Sequence, residues 1–560
     1  ADIINFSCSG CATLADLQYI AGAGVLMTSA AGNTDFAPEP DAGSPAAYAN
    51  QLDFSLIAVT GVHDLLGYIS NYGYNSCGAQ KEYCMAAYST EGTSFAAPQI
   101  AGAAALVKEG WGYLTTRQVS QILLNSADDI GAPGVDAVYG HGILDMKAAM
   151  EPIGAVTVLN NHGFQSSFAP SFISQNQGTA FGNAFSASGN AKGNIVAIDS
   201  YGRDFNVKTE NNLRVAYEDK FSADKLFALG RQKGQMKTIN LNDGLSLKVS
   251  RQQKELNTAD MVGYAEYDVA PAAKLKLGFA TDMADVATNE MQKFNKNNFI
   301  SQRSFENGYL NFSDNDQVFN QAIELIPAKN TKIKVSSYYS KNSNADYFKP
   351  VDNQVTSDFA SSVVDTSFAA SDKLNVNLRN GVTHEFDSVL GTQFTGSYEM
   401  QGGADTYFSG VDVSYDVAPN WNVFGSYTIG TTKATPSSRS AFSSISDLTS
   451  DSFSVAATRS EILGKDSLSF AVGQPTRVRS GVAKGLTQTV DRTTGAVSAT
   501  EFEQSLTPTG RNMQFQAAYQ KELSDNVEMN FALEYETNPY QQAEADAETS
   551  GFMKLIYQLN

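Results

Sequence analysis

The stretch Gly92-Thr93-Ser94-Phe95-Ala96-Ala97-Pro98, followed by Gln-Ile-Ala-Gly-Ala-Ala-Ala-Leu-Val, is the strongest local signal in the sequence. A Gly-Thr turn places Ser94 in the first turn of a helix that we expect to run to about Glu109. The hydroxyl of Ser94 then lies in the positive field of the helix N-terminus, which stabilises an oxyanion or a forming alkoxide. Without the rest of the motif, the simpler interpretation of Ser94 as an ordinary N-cap serine would be favoured.

The flanking sequence predicts an α/β region over residues 1–154. Apolar runs typical of buried strands alternate with helical stretches, which indicates a parallel sheet covered on both faces. The predicted strands are Asp2–Phe6, Gly24–Ala30 and Leu56–Gly61, and the predicted helices are Thr13–Ala23, Ser94–Glu109, Thr116–Ser126 and Gly142–Met150.

The composition and the hydrophobic pattern of the sequence change after about residue 155. Residues 155–259 are predicted to form a linker and a β-rich connecting region, with Ser166–Gly193 as a linker or surface loop. Residues 260–560 carry segments of about ten residues with period-2 alternation, short turns and aromatic ends, a pattern typical of antiparallel outer-membrane β-barrels. One example is the hairpin from Phe408 to Thr428. A soluble β-sandwich, which also alternates, is the competing interpretation.

Composition limits the function classes. The 560 residues include 39 Lys and Arg against 59 Asp and Glu, for a net charge of −20, so no basic excess exists to bind nucleic acid. No run of about 18 apolar residues marks a transmembrane helix. The chain begins inside an apparent core strand, at Asp2–Phe6, and we therefore expect that residues in front of it have been lost.

All four cysteines lie in the first 84 residues, at Cys8, Cys11, Cys77 and Cys84. A disulfide between Cys77 and Cys84 is expected, and it would indicate an oxidising compartment. Cys8 and Cys11 fit a second disulfide or a pair of buried small side chains equally well. The spacing of the two pairs fits a zinc site poorly.

The motif around Ser94 resembles that of the subtilisin-like serine proteases, the subtilases. The resemblance covers residues 1–154, as the C-terminal half of such a domain, and implies that Ser94 is the nucleophile and Asn33 the oxyanion-hole amide. It implies that Ala30, Ala31 and Gly32 line the primary specificity pocket. It also implies that Ser7, Cys8 and Ser9 pair with extended substrate.

The sequence departs from the family where the general base should be. In subtilases the catalytic Asp and His precede the oxyanion Asn, and here no histidine precedes Asn33. His63 is expected in a surface loop and His141 in a structural turn. Ser9 stands where the family usually has glycine. Without a histidine base, Ser94 is a weak nucleophile.

The resemblance extends to autotransporter subtilases through the cysteine pair, through Asp199–Phe205 and through segments at Val472–Gly481 and Leu506–Arg511. It implies a Gram-negative outer-membrane location with an extracellular passenger, polypeptide substrates, and membrane lipid and the barrel-insertion machinery as partners. No cofactor is predicted. Many subtilases bind calcium, but nothing in this sequence places such a site, and no metal cluster is found.

Three functions compete at this stage. The first is an autotransporter serine endopeptidase that works through an acyl-enzyme on Ser94, with the segment carrying its Asp and His absent. The second is a degenerate protease at the cell surface with a binding or structural role. The third is an outer-membrane pore joined to an unrelated α/β remnant.

The missing base leads to a first prediction. Purified chain 1–560 should show no peptidase activity and no labelling by a fluorophosphonate, because no histidine is available to take the proton of Ser94. Mass spectrometry after incubation with the probe is the measurement. Stoichiometric modification of Ser94 would contradict it.

Overall fold

The structure is a computed structural model. It describes residues 2–34, 36–65, 68–70, 73–160, 163, 165–167, 171–175, 180–185, 196–206, 213–217, 237–242, 244–255, 258–279, 309, 317–341, 358–386, 388–524 and 527–557. The backbone alone is described for several strands within these ranges.

The N-terminal region is an α/β domain, as the sequence predicts. Its strands are β1 Ile3–Phe6, β2 Leu26–Ala30, β3 Leu56–Leu65, β4 Tyr68–Ser70 and β5 Cys84–Tyr88. Its helices are α1 Leu14–Gly22, α2 Thr93–Gly110, α3 Thr116–Asn125 and α4 Met146–Ala149, and two short 3-10 helices span Pro45–Gln51 and Gly78–Tyr83. Among the described residues, no helix is long and apolar enough to cross a membrane.

The domain is organised around one sheet. The parallel strands follow the order β1-β2-β3-β5, and β4 forms an antiparallel hairpin with the end of β3. The register places Ile4 beside Met27 and Ala30 beside Val59. Helices α2 and α3 bury Ile100, Val107 and Ile122 against one face, and Leu17 of α1 packs on the other. The sheet is therefore covered on both faces.

Helix boundaries follow local capping. Thr13 and Asp16 form a capping box at α1, in which hydrogen bonds from the Thr13 hydroxyl and N–H lower the pKa of Asp16. Thr115 and Gln118 form the same box at α3. These short polar side chains satisfy first-turn groups that the helix leaves without intrahelical partners.

Two predicted elements differ from the structure. Strand β5 was not predicted, although it leads directly into the turn before α2. The predicted helix Gly142–Met150 is wrong at its start, because Ile143 forms bridges with Ala86 and Asp128 and the helix is limited to Met146–Ala149. Gly142 has a φ of 111°, and an added Cβ would lie 2.1 Å from the Asp128 carbonyl oxygen, so this segment is held in an extended turn.

A proline links α2 to the edge of the sheet. In a helix the carbonyl of Ser94 would accept from the N–H of residue 98, but that residue is Pro98, which has no N–H. The Ser7 hydroxyl, just past β1, donates to the Ser94 carbonyl at 2.9 Å instead. The helix therefore uses a residue beyond its own chain segment to satisfy its first turn.

A connecting region follows the domain, with strands β6 Thr157–Leu159, β7 Gln165–Ser167, β8 Ser171–Gln175, β9 Val196–Ile198, β10 Asp204–Asn206 and β11 Leu213–Tyr217. At its centre lies Arg203, whose side chain is fully buried. The Nη2 atom of Arg203 forms an ion pair with Oδ2 of Asp199, which is also fully buried, at 2.8 Å. The guanidinium donates to the carbonyls of Ala149 and Glu151 and lies 4.8 Å from the Trp111 ring centroid. The charge and the N–H groups of Arg203 are thus paired with groups inside the protein.

The C-terminal region is a 15-stranded antiparallel sheet in the described residues, as the alternation predicts. Its strands are β12–β19, β22, β23, β25, β26 and β29–β31, with the ranges given below, and neighbours in this list are hydrogen-bonded. A sandwich would divide these strands between two packed sheets, and they form one. The strands are β12 Lys237–Asn242, β13 Leu245–Glu255, β14 Thr258–Ala270, β15 Ala273–Phe279, β16 Gln317–Ala328, β17 Thr331–Lys341, β18 Phe359–Ala369, β19 Leu374–Glu385, β20 Ser388–Val389, β21 Thr392–Phe394, β22 Met400–Ala418, β23 Trp421–Pro436, β24 Phe442–Ile445, β25 Leu448–Ser460, β26 Asp466–Ser480, β27 Val482–Val490, β28 Val497–Ser505, β29 Met513–Ser524, β30 Val527–Thr537 and β31 Glu548–Tyr557.

The two faces of this sheet have opposite polarity. On β16, Glu324 is buried while its neighbours Ile323 and Leu325 are exposed. Glu324 lies in a chain of ion pairs across five strands, formed by Lys248, Glu266, Lys276, Glu324 and Lys332. The exposed face is apolar and the protected face charged, the reverse of a water-soluble sheet.

Part of the predicted linker Ser166–Gly193 is buried. Residues Ala180–Phe185 pack inside the C-terminal region, where the Phe185 ring meets those of Phe394 and Phe442. Asn183 donates to the Thr509 hydroxyl at 2.7 Å. This portion is therefore not a surface loop, and residues 168–170, 176–179 and 186–193 lie outside the described ranges.

The hairpin of β27 and β28 joins the two regions. Arg492, at its tip, donates to the Gly110 carbonyl at the end of α2 and to Asp204. Tyr113 donates to the Gly202 carbonyl, and burial raises the pKa of Tyr113 to about 12, so this donor keeps its proton at ordinary pH. The last turn of α2 is thus attached to the C-terminal region.

The Ser7–Ser94 contact can be tested by a double-mutant cycle. Ser7→Ala should lower the free energy of unfolding by about 0.5–1.5 kcal/mol, because the Ser94 carbonyl loses its donor. In a Pro98→Ala background, Ser7→Ala should lower the free energy of unfolding by less, because the N–H of residue 98 then donates to the Ser94 carbonyl. Urea unfolding followed by tryptophan fluorescence is the measurement, with Ser9→Ala as the control. If Ser7→Ala lowered the free energy of unfolding equally with Pro98 and with Pro98→Ala, the Ser7 hydroxyl would not be replacing the missing helical donor.

The buried Arg203–Asp199 pair gives a further stability prediction. Arg203→Ala should destabilise the N-terminal region by about 3–5 kcal/mol, because Asp199 would be left charged and buried. The matched control is Lys147→Ala, whose ion pair with Glu151 is largely exposed and should contribute about 0–1 kcal/mol. Trp111 lies against Arg203 and reports the transition by fluorescence. Similar midpoints for the two variants would contradict the assigned role.

Candidate active site

Ser94 is the second residue of α2 and is half-buried. The turn before it contains Gly92, whose φ of 126° lies in a region that other residues rarely adopt. The backbone N–H of Ser94 belongs to the first turn and precedes the first i to i−4 hydrogen bond of the helix. The hydroxyl and this N–H group are thus presented together at the start of a long helix.

Asn33 lies against this turn, three residues after the end of β2. Its Oδ1 accepts from the backbone N–H of Thr93 at 2.9 Å and from the Thr93 hydroxyl at 3.2 Å. An added Cβ on Gly92 would lie 3.2 Å from both Oδ1 and Nδ2 of Asn33, so glycine allows the close contact. Because Oδ1 is occupied by Thr93, Nδ2 is the amide group left to donate to a ligand.

The loop carrying Asn33 is held by Asn75, which the sequence interpretation did not identify. Asn75 is buried, and its Oδ1 accepts from the N–H of Thr34 at 2.7 Å while its own N–H donates to the Gly32 carbonyl. Its Nδ2 donates to the Glu39 carbonyl at 3.0 Å. Asn75 follows no periodic pattern, and only the fold brings it to this loop.

A second brace holds the turn from the other side. The Tyr74 hydroxyl donates to the Ser89 carbonyl at 3.0 Å, and the Ser89 hydroxyl donates to the Gly92 carbonyl at 2.8 Å. Tyr74 lies close over Gly61, where any Cβ would meet its ring at 2.5 Å. Thr93 completes the arrangement by accepting from the Gly32 N–H at 3.1 Å. These hydrogen bonds hold the turn to the loop after β2 and to the residue after β5.

The segment after β1 lies beside Ser94. Ser7 contacts the Ser94 carbonyl, and the N–H of Gly10 donates to the Gly43 carbonyl at 2.7 Å. Cys8 and Cys11 form a disulfide and are exposed, which excludes a pair of buried small side chains. Among the described strands, β1 pairs only with β2, so its other edge is open.

The second disulfide joins Cys77 and Cys84 with their Cα atoms 5.8 Å apart. Both residues are fully buried, and Cys84 begins β5, the strand that leads to Ser94. Its carbonyl accepts from the N–H of His141 at 2.9 Å. The bridge therefore fixes the start of the strand that carries the turn.

The two histidines of the N-terminal region contact parts of the fold other than the Ser94 turn. His63 is not in a surface loop: it extends β3, pairs with Ser70 of β4 and is half-buried. The Nε2 atom of His141 lies 3.2 Å from the Glu82 carbonyl, consistent with a structural turn. Within the described ranges, no three His, Cys, Asp or Glu residues are grouped as metal ligands.

Residues 1–142 match the model of the subtilase family, a family of peptidases. Serotype-specific antigen 1 of Mannheimia haemolytica is 35% identical over 135 residues, 20% of this chain and 14% of that protein. The Neisserial autotransporter lipoprotein NalP of Neisseria meningitidis serogroup B is 36% identical over 92 residues, 14% of this chain and 8% of that protein. Subtilisin Savinase of Lederbergia lenta is 33% identical over 136 residues, 22% of this chain and 46% of that protein.

The matched segment thus spans less than half the length of each of these relatives. It includes the turn at Ser94, the loop at Asn33 and the segment after β1. Residues 1–142 thus match a domain of the subtilase family.

Proposed function

We propose that this chain carries the nucleophile half of a serine endopeptidase site. In this proposal the Ser94 hydroxyl attacks the carbonyl carbon of a peptide bond, the amine leaves, and water then hydrolyses the acyl-enzyme. The observation that supports it most directly is the contact of Asn33 with Thr93. This contact turns one amide group toward the helix and leaves the other beside the Ser94 turn.

The oxyanion of the tetrahedral intermediate would be stabilised by two donors. One is the Nδ2 group of Asn33, and the other is the backbone N–H of Ser94 in the first turn of α2. Donors held in place before reaction stabilise charge that develops only in the transition state. Asn75, Tyr74 and Ser89 supply that support through their hydrogen bonds to the two loops.

The substrate would lie along the open edge of β1 in extended form. Main-chain pairing with Ser7, Cys8 and Ser9 would give affinity that depends little on sequence. Ala30, Ala31 and Gly32 would form the wall of the pocket for the residue before the cleaved bond. Since side chains and backbone supply every group in this proposal, it uses no cofactor.

The general base belongs to a segment outside residues 1–142 in this proposal. His63 and His141 are the histidines of that range, and both are engaged in the fold at β4 and Glu82. A serine without a base is a poor nucleophile, so the 560-residue chain alone would be inert. The Asp and His of the triad would complete the site when that segment is present.

The C-terminal region would anchor the peptidase at the outer membrane of a Gram-negative bacterium, with the N-terminal region outside the cell. The exposed apolar face of the 15-stranded sheet would contact lipid, and insertion machinery would be its transient partner. The two disulfides fit an extracellular, oxidising location. The substrate would be a polypeptide.

A peptide boronic acid tests the site without requiring a base. Boron accepts the Ser94 oxygen to form a tetrahedral anion, and the hydroxyl proton leaves to solvent, so the adduct should grow as pH rises. Boron NMR of chain 1–560 in detergent micelles should show the tetrahedral signal, which Ser94→Ala should abolish. Asn33→Asp keeps an acceptor for Thr93 but removes the donor, and should weaken the adduct at least about tenfold.

The same measurement separates the alternatives. Absence of the adduct in the wild-type chain would favour a degenerate, non-catalytic surface protein. An adduct that persists in Ser94→Ala would show that another hydroxyl is the nucleophile. A control variant, Ser443→Ala, alters an exposed serine in the C-terminal region and should leave the adduct unchanged.

A further inference from the structure

The two disulfides of the N-terminal region differ in their access to solvent. Cys8 and Cys11 are exposed on the surface just past β1. Cys77 and Cys84 are completely buried in the core of the domain. A thiol breaks a disulfide by attacking one of its sulfur atoms, so the attacking group has to reach that atom. The chain therefore carries one bridge that is open to exchange and one that is protected.

The exposed bridge closes a short turn that has few other constraints. Among the described contacts, residues 7–12 make one backbone hydrogen bond to another segment, from the Gly10 N–H to the Gly43 carbonyl at 2.7 Å. The Ser9 hydroxyl packs against Gly43, where an added Cβ would lie 2.2 Å from the Ser9 oxygen. The bridge joins residues three apart in the sequence, Cys8 and Cys11. Opening it would leave the turn without its covalent constraint.

This turn continues from the residue that contacts Ser94. The Thr28 hydroxyl donates to Asn5 at 2.9 Å, and the Asn5 side-chain amide donates to the Ser7 hydroxyl at 3.0 Å. The Ser7 hydroxyl in turn donates to the Ser94 carbonyl. Cys8 is the next residue after Ser7, so its backbone is held by this chain of hydrogen bonds on one side and by the disulfide on the other.

We infer that the Cys8–Cys11 bridge is a thiol-exchange site whose opening loosens the segment beside Ser94. A small external thiol is the reductant. Its thiolate attacks one sulfur of the bridge, the S–S bond breaks to leave a mixed disulfide, and the released cysteine takes a proton from water. A second thiolate then attacks the sulfur of the first, and the second cysteine is released and protonated. The bridge thus gains two electrons and two protons, and two thiols are oxidised to one disulfide.

The effect on substrate rests on the proposed function, in which Ser7, Cys8 and Ser9 pair with an extended peptide. A strand that is already ordered loses less conformational freedom on binding than a loose one, so it binds the same peptide more tightly. With the bridge open, the affinity for a peptide along the β1 edge should therefore fall. The Ser94 turn itself keeps its hydrogen bonds to Asn33 and Ser89.

Mass spectrometry tests the exchange, with the buried bridge as the reference in the same chain. Chain 1–560 in detergent micelles is equilibrated with increasing β-mercaptoethanol and then alkylated with N-ethylmaleimide. In chymotryptic peptides, Cys8 and Cys11 should be modified at a thiol concentration at least about tenfold below that needed for Cys77 and Cys84. The Gly10 N–H should exchange with deuterium faster once the bridge is open. Equal thiol thresholds, or unchanged exchange at Gly10, would overturn the inference.

Two boronic acids then connect the bridge to substrate binding. A tetrapeptide boronic acid extends along the β1 edge, whereas phenylboronic acid occupies only the position beside Ser94. In Cys8→Ser/Cys11→Ser the tetrapeptide adduct should be weaker by about threefold or more, and the phenylboronic acid adduct should be unchanged. Wild-type chain with its exposed bridge opened by thiol should match the variant, and reoxidation should restore the affinity. This second comparison holds even if the variant fails to fold.

The outcomes separate this inference from the proposed function. A tetrapeptide adduct that is equally strong with and without the bridge would overturn the inference, as would equal weakening of both adducts. If neither boronic acid forms an adduct while the Gly10 N–H still exchanges faster in the opened chain, the proposed function fails and the thiol-exchange site stands.

Discussion

The missing N–H of Pro98 is the constraint on which the arrangement around Ser94 depends. A helix that contained any other residue there would satisfy the Ser94 carbonyl internally and would have no need of the sheet edge. With proline, the carbonyl is left for the Ser7 hydroxyl, and the end of β1 is drawn against the first turn of α2. The segment proposed to bind substrate and the residue proposed to cleave it are thereby positioned by the same hydrogen bond.

On its other side the Ser94 turn is held by the side-chain amide of Asn33, where Ser7 uses a hydroxyl. Asn33 accepts from the first N–H of the helix, which gives α2 a cap from a distant loop where Gly92 has no side chain to supply one. This division of the amide between a structural acceptor and a free donor means that helix capping and oxyanion stabilisation use one side chain. Loss of Asn75 would affect both, because Asn75 holds the loop on which Asn33 lies.

Much of this could be predicted from the sequence because the signals were local. The small residues after Ser94 marked α2, and period-2 alternation marked hairpins such as β22 with β23, where Tyr415 lies opposite Val423. Local sequence patterns predicted the wrong element where contacts with residues distant in sequence determine the secondary structure. Strand β5 is short and continuous with a turn, and Ile143 was assigned to a helix although its partners are Ala86 and Asp128. Asn75 is a polar loop residue whose role depends on neighbours distant in sequence.

Helix α2 also connects the candidate site to the rest of the chain. Its 18 residues span about 27 Å, from the Ser94 turn to the Gly110 carbonyl that accepts from Arg492. Because a helix is stiff over this length, the hairpin of β27 and β28 fixes the direction of α2, and with it the orientation of the Ser94 turn relative to the 15-stranded sheet. The attachment lies at the end of the helix opposite Ser94. The open edge of β1 therefore stays clear of the contacts made by Arg492.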